Sequence, residues 1–220
     1  AHPKGTVSYV PLQLHQFSKK RIGYRKPNVF LGAVSPMDKH GYFSLSLSTV
    51  LEKDFVENAD IVIMEVNPNL PRTFGDTHVH ISEIDYLVEV DAEVPTLEQP
   101  VLSEKDLLIG NYAADLVEDG STIQIGFGSI TGAIAQCLGD KKDLGLHSEM
   151  FTDSVLSLYE AGVITNRKKT LWKDKFITDA ALGSRKLYDF LDENMAVEFH
   201  RSSVVNDPTI IARNNKMVSI

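Results

Sequence analysis

Short apolar runs alternate with amphipathic stretches along most of the chain. Residues 29–34, Val-Phe-Leu-Gly-Ala-Val, form one such run, which breaks into the polar loop 35–42. Residues 61–66 are rich in β-branched side chains and end at the turn signals Asn67-Pro68-Asn69. Both runs predict strands, and the stretch 48–56 between them predicts a helix. That βαβ rhythm predicts a parallel sheet covered by helices. Residues 86–90 predict a further strand, and 6–10 have the same strand-like texture.

Periodicity then lapses. Residues 91–106 carry Pro95 and Pro100 among the acids Glu93, Glu98 and Glu104, which marks a linker. Beyond it, 105–118 predicts a helix with Leu107, Leu108, Tyr112, Leu116 and Val117 spaced for one face. Asp119-Gly120 turns into a strand over 121–125, and a second βαβ region follows. The expectation is an α/β protein of two open, mostly parallel-sheet domains, divided at 1–98 and 99–220. The chain opens without methionine and stops at Met217-Val218-Ser219-Ile220, strand-like to its last residue. The expectation is a fragment in which both domains are incomplete.

Composition narrows the function classes. The 220 residues are 43% hydrophobic and 24% charged, ordinary for a packed protein with a sizeable core. Asp and Glu number 30 against 22 Lys and Arg, a net charge of −8, which argues against a nucleic-acid partner. The one dense basic run, Arg167-Lys168-Lys169, reads as a solvated loop. A single cysteine, Cys137, excludes an intrachain disulfide and a multi-cysteine zinc site, and its apolar surroundings read as packing. No apolar run approaches the ~20 residues of a membrane span. The composition predicts a soluble, cytoplasmic protein without a membrane partner.

The most informative stretch runs from Gln124-Ile125-Gly126-Phe127-Gly128 into Ser129-Ile130-Thr131-Gly132. A strand enters a glycine turn that opens a helix, a combination suited to a phosphate, a carboxylate or a developing oxyanion. Alone it is a loose dinucleotide fingerprint, with one residue too many before the last glycine. His147-Ser148-Glu149-Met150 follows, a short strand that ends in a carboxylate. Glu149 would serve either a ribose hydroxyl or catalysis at the carboxyl end of a parallel strand, or it would simply cap the next helix. His147, Ser148 and Glu149 cannot form one hydrolytic triad, because consecutive strand side chains point to opposite faces. His78 and His80 share a strand face, but no third ligand has a supporting spacing, so no metal site is expected.

Four motifs occur in order: Ser35-Pro36-Met37-Asp38-Lys39-His40-Gly41-Tyr42, the glycine loop, His147-Ser148-Glu149-Met150, and Val205-Asn206-Asp207-Pro208. Together they resemble the acetyl-CoA hydrolase/transferase family, nearest its 4-hydroxybutyrate and butyrate:acetate CoA-transferases, over essentially the whole chain. The resemblance implies that Glu149 is the nucleophile and that Gly126, Phe127, Gly128, Ser129 and Ile130 contact coenzyme A. It implies acyl-CoA and short-chain carboxylates as substrates, no metal or nucleotide cofactor, and a homo-oligomer at full length. One departure is visible: the family often has Ala-Ile-Pro where this chain has Ser129-Ile130-Thr131, and the lost proline loosens the helix start.

The chemistry implied is exchange of one thioester for another through a glutamyl-CoA intermediate on Glu149. Loop 35–42 is the expected wall opposite the glycine loop. Three other readings stay open at this point: an acyl-CoA hydrolase using the same Glu149, a nicotinamide-dependent oxidoreductase using Gly126, Gly128, Gly132 and Glu149, and a piece that is not catalytic by itself.

Overall fold

Strand β1 (Val29–Val34) lies parallel to β3 (Ile61–Val66), with Val29 opposite Ile61 and Val34 opposite Val66. The computed structural model describes residue 5 and residues 9–220; of the strand expected over 6–10, positions 6–8 lie outside it. Tyr9 and Val10 are exposed and in no regular element, and helix α1 (Leu14–Tyr24) follows. Strand β6 (Tyr86–Glu89) adds to β3, again in parallel, so the sheet order is β1-β3-β6. Between β1 and β3 come β2 (Tyr42–Ser44) and α2 (Glu52–Val56). A small core of Val34, Phe43, Leu45, Val56, Val62, Met64 and Val79 fills the space beneath.

The helix expected over 48–56 begins only at Glu52, for a reason visible in the hydrogen bonds. The Thr49 N–H donates to the Asp179 carbonyl at 2.8 Å, and the Leu47 carbonyl accepts from Ala181 N–H at 2.9 Å. Residues 47–49 are therefore held by a distant strand and cannot also close helical turns. Strand β4 (Phe74–Gly75) follows β3, and β5 (His78–His80) pairs antiparallel with β2 before a 3₁₀ turn at Ile81–Glu83.

Past the irregular stretch, Ser103 and Asp106 form a reciprocal capping box that starts α3 (Glu104–Ala114). Helix α3 packs on α4 (Ser129–Cys137) so closely that a Cβ on Gly110 would come within 2.9 Å of the Ala133 backbone. Cys137 sits partly buried in that same contact, 3.1 Å from the same point.

The larger sheet grows from β7 (Thr122–Gln124), flanked in parallel by β8 (Gly145–Leu146) and β13 (Met217–Ser219). A parallel bridge between His147 and Ile177 joins it to β10 (Phe176–Thr178), which continues through β12 (Val197–Phe199) to β4. Residues on both sides of the 91–106 stretch thus share one run of strands. Strand β9 (Met150–Phe151) pairs with β11 (Ala180–Ala181). Helices α5 (Asp153–Glu160), α6 (Arg185–Leu191), α7 (Ser202–Val205) and α8 (Pro208–Ile211) complete the chain. The main core gathers Ile123, Ile125, Leu146, Phe151, Phe176 and Phe199, with Val94 from the irregular stretch among them.

The 91–106 stretch is irregular as far as α3, but it is not loose throughout. Val94 is buried, the Pro95 carbonyl accepts from Tyr188 Oη at 2.8 Å, and Leu97 N–H donates to the Gly183 carbonyl at 2.9 Å. Among the described residues no helix is long and apolar enough to cross a membrane, and no group of three His, Cys, Asp or Glu is disposed to hold a metal ion.

Candidate active site

Parallel strands β7 and β8 are neighbours, so the segments that follow them emerge at the same sheet edge. Beyond β7 the chain enters Gly126-Phe127-Gly128; beyond β8 it enters His147-Ser148-Glu149. Ser148 ties the two together. Its hydroxyl donates to the Ile125 carbonyl at 2.8 Å and accepts from Ile125 N–H at 3.2 Å, one residue before Gly126.

The three side chains of this segment part as the strand alternation requires. His147 is buried, with Nε2 2.9 Å from the Val205 carbonyl and Nδ1 3.2 Å from Asn214 Nδ2. Burial pulls its pKa down to about 4, so the ring is neutral near pH 7. A neutral ring donates from Nε2 to the carbonyl and accepts at Nδ1 from the amide. Ser148 turns to Ile125, while Glu149, half-buried, reaches Asn206: Asn206 Nδ2 donates to Glu149 Oε2 at 2.7 Å. Glu149 does not close a single long strand; it lies between the two-residue strands β8 and β9.

The backbone of Glu149 is as firmly held as its side chain. Its carbonyl accepts from Asp179 N–H at 3.2 Å, Ala180 N–H at 3.0 Å and Thr178 Oγ1 at 2.9 Å. Asp179 is wholly buried, and its Oδ2 accepts a short hydrogen bond from Ser202 Oγ. Burial raises its carboxyl to about 7, the Ser202 hydrogen bond opposes that rise, and the charges of Glu149 and Glu52 add to it. Asp179 and Ser202 carry no motif of their own in the sequence; only the three-dimensional fold brings them under Glu149.

The glycine turn opens onto a groove of about 380 Å³. It is lined by Ile125 to Gly128, by Thr152 to Ser154 with Gly183, and by Leu97 to Pro100 with Leu102. Neither Glu149 nor loop 35–42 lines this groove. Loop 35–42 instead contributes Ser35 to Asp38 to a second groove, with Pro68 to Arg72 and α6. The two glycines differ in kind. Gly128 has φ +140°, a conformation that side chains resist, and it caps α4 without any side-chain oxygen. Gly126 has no such strain, and a Cβ there would meet nothing closer than Thr131 Cγ2 at 3.5 Å. Phe127 and Ile130 project into solvent, with Ser129 half-buried between them.

Comparison with known proteins is consistent in every direction. The N-terminal domain of the acetyl-CoA hydrolase/transferase family matches residues 1–98, and its C-terminal domain matches 183–220. The chain is 42% identical to the 4-hydroxybutyrate coenzyme A transferase of Clostridium kluyveri, over 98% of this chain and 51% of that protein. It is 38% identical to the succinyl-CoA:cyclohexane-1-carboxylate CoA transferase of Geobacter metallireducens, over 99% of this chain and 50% of that one. The crystal structure of a 4-hydroxybutyrate CoA-transferase from Porphyromonas gingivalis superposes with a TM-score of 0.91 at 34% identity. That match covers 99% of this chain and 56% of the crystallised one. The chain spans about half the length of the curated relatives it matches.

Proposed function

Because the chain belongs to the acetyl-CoA hydrolase/transferase family, we propose that it carries the reaction centre of an acyl-CoA:carboxylate CoA-transferase, with Glu149 as the covalent nucleophile. The observation that carries this reading is the convergence of two distant motifs: Asn206 of Val205-Asn206-Asp207-Pro208 holds the Glu149 carboxylate at 2.7 Å. A carboxylate with one oxygen held by an amide and the other left for attack is oriented rather than free. On this reading 1–98 belongs to the N-terminal domain and 99–220 to the start of the C-terminal one, with coenzyme A lying along Gly126 to Ile130, of which Gly126 to Gly128 line the groove.

The free oxygen of Glu149 attacks the acyl-CoA thioester carbonyl, forming a mixed anhydride as the C–S bond breaks and CoA leaves as thiolate. The thiolate then attacks the glutamyl carbonyl of the anhydride. The acyl group departs as a carboxylate, and a glutamyl-CoA thioester remains. A second carboxylate runs the same steps in reverse and leaves with the CoA. Each attack builds an oxyanion, and the backbone N–H groups of Phe127 and Gly128 are candidates to receive it, that of Gly126 being held by the Ile220 carbonyl at 3.3 Å. Water has to be kept from the anhydride, which it would otherwise hydrolyse. Among acids, the short chains named in the relatives, such as 4-hydroxybutyrate, are the first to test.

The experiment is covalent trapping. Full-length protein incubated with a short-chain acyl-CoA and then borohydride should lose activity and gain a modification in the peptide from His147 to Phe151. Glu149→Gln should show neither. Modification at Asp153, Asp179 or Glu198 instead would overturn the assignment. Turnover that needs no carboxylate acceptor would make the reaction a hydrolysis.

A further inference from the structure

The hydrogen bonds around Glu149 close into a ring. Asp179 N–H donates to the Glu149 carbonyl at 3.2 Å, and Ser202 Oγ donates to Asp179 Oδ2. Asn206 N–H donates to the Ser202 carbonyl at 2.9 Å, and Asn206 Nδ2 returns to Glu149 Oε2 at 2.7 Å. Three residues from two other parts of the chain thus fix both the backbone and the side chain of Glu149. The other oxygen of Asp179, Oδ1, is buried without any hydrogen-bond partner. An unpartnered carboxyl oxygen in the interior is costly.

We propose that Asp179 is a positioning residue for the Glu149 reaction, acting through Ser202 and Asn206, and that its ionisation switches the transfer off. The inference rests on Glu149 being the nucleophile. As the reaction proceeds, the charge of Glu149 passes to an oxyanion and then to a departing thiolate. The Glu149 charge is present in free enzyme and transition state alike, but acyl-CoA brings phosphate charges of its own, so a second negative charge beside Glu149 raises the bound and transition states relative to free enzyme and substrate. With its proton retained, Asp179 adds no such charge.

The surroundings give that charge nothing to pair with. From α2 the group facing Asp179 is Glu52, and from the β8–β9 segment it is Glu149, both acids. His147 on that segment is turned to Val205 and Asn214 and is neutral. At the N-cap of α7, the Arg201 guanidinium is committed to Asp54, Glu57 and Asp76 at 2.5, 2.9 and 2.5 Å. On β12 and just past it, Glu198 and His200 pair with each other at 3.2 Å, and Glu198 also with Lys175 at 3.3 Å. Burial and the two acids hold the Asp179 carboxyl up to about 7, within reach of ordinary pH.

The test is the pH dependence of kcat/KM in the full-length protein, with Asp179→Asn and Ser202→Ala. Wild type should lose about 30-fold between pH 6 and pH 8.5, the fall of a single proton limb centred at about 7. Asp179→Asn, neutral at every pH, should lack that limb, so its ratio of rates at pH 8.5 and pH 6 rises about 30-fold relative to wild type. Ser202→Ala removes the hydrogen bond that favours the ionised form, so the limb should move to higher pH. A merely structural role would lower the rates of both variants without moving the limb. Trapping at each pH keeps the two ideas apart. A modification that misses Glu149 in wild type defeats the nucleophile reading, while a Glu149 modification with an unmoved limb in both variants defeats the role of Asp179 alone.

Discussion

Asn206 Nδ2 donates to Glu149 Oε2 at 2.7 Å across 57 residues of chain, and the same asparagine ends helix α7 as its C-cap. The amide is thus anchored by a helix terminus and a strand-flanking carboxylate at once. Asn206→Ala should leave the fold intact but free the carboxylate to rotate. A hydrogen bond to a charged group contributes about 1.5–3 kcal/mol, so kcat/KM should fall on the order of 10- to 100-fold. Asn206→Asp, which sets a second negative charge against the carboxylate, should fall further. Steady-state kinetics checks both, and equal rates for Ala and wild type would show that the contact does not orient the nucleophile.

Glu149→Asp should fail almost as completely as Glu149→Gln. Shortening the side chain by one methylene withdraws its oxygen from Asn206 and from the substrate alike, and ~1 Å of misplacement can cost on the order of 100-fold. Single-turnover measurement of thiol release reads this directly. A near-normal Asp variant would mean that the site is loose enough to adjust.

The two glycines of the turn should separate cleanly. Gly128→Ala forces a side chain into φ +140°, so the protein should lose roughly 1–3 kcal/mol of stability whatever it binds. Gly126→Ala meets only ordinary contacts, its nearest neighbour at 3.5 Å, and should melt like wild type. If coenzyme A passes close over Gly126, that added methyl should weaken CoA binding all the same. Calorimetric titration beside a thermal melt distinguishes the two, and unchanged affinity in Gly126→Ala would leave this glycine as a plain turn residue.

Stability should respond to pH through two opposed buried groups. His147 titrates near 4 in the fold against an ordinary 6.5, so its contribution is full above about 6.5 and lost as pH falls towards 4. Asp179 sits near 7 against an ordinary 3.8, so its contribution is full below about 3.8 and lost as pH rises towards 7. In wild type the slopes oppose each other between about pH 4 and 6.5. Asp179→Asn should therefore be more stable than wild type at pH 7.5, yet lose stability more steeply on acidification. Urea denaturation at a series of pH values tests this, and parallel curves for the two proteins would rule it out.

Limited proteolysis should cut first within 98–103. Val101 is 95% exposed there, whereas Val94, Pro95 and Leu97 are tied down by burial, Tyr188 and Gly183. Because the same segment walls the groove, coenzyme A should slow that cleavage. First cuts between Gly120 and Glu149 would contradict this ordering of local stability.

Much of this protein was legible in its hydrophobic pattern. Strands β1 and β3 fall where their β-branched runs predict, and they pair in parallel as the βαβ rhythm requires. The glycine turn enters helix α4 as read, because Gly126-Phe127-Gly128 is a local signal that needs no distant partner. Two expectations changed for a common reason. Helix α2 starts late because 47–49 are held by residues 179–181, and the 91–106 stretch is pinned at Pro95 and Leu97 by Tyr188 and Gly183. In each case a long-range hydrogen bond or packing contact outweighed the local preference.

What the sequence determined by itself is the set of local elements and the order of motifs, since turn chemistry, capping and periodicity act within a few residues. What only the tertiary structure decided is the company Glu149 keeps. Asn206, Asp179 and Ser202 are ordinary polar residues in their own neighbourhoods and become one ring only when β11 pairs with β9 and α7 brings Ser202 to Asp179 and Asn206 to Glu149. Burial then changes the chemistry of Asp179, because the cost of a charge depends on the water excluded from around it, and that is a property of the folded molecule rather than of any short segment.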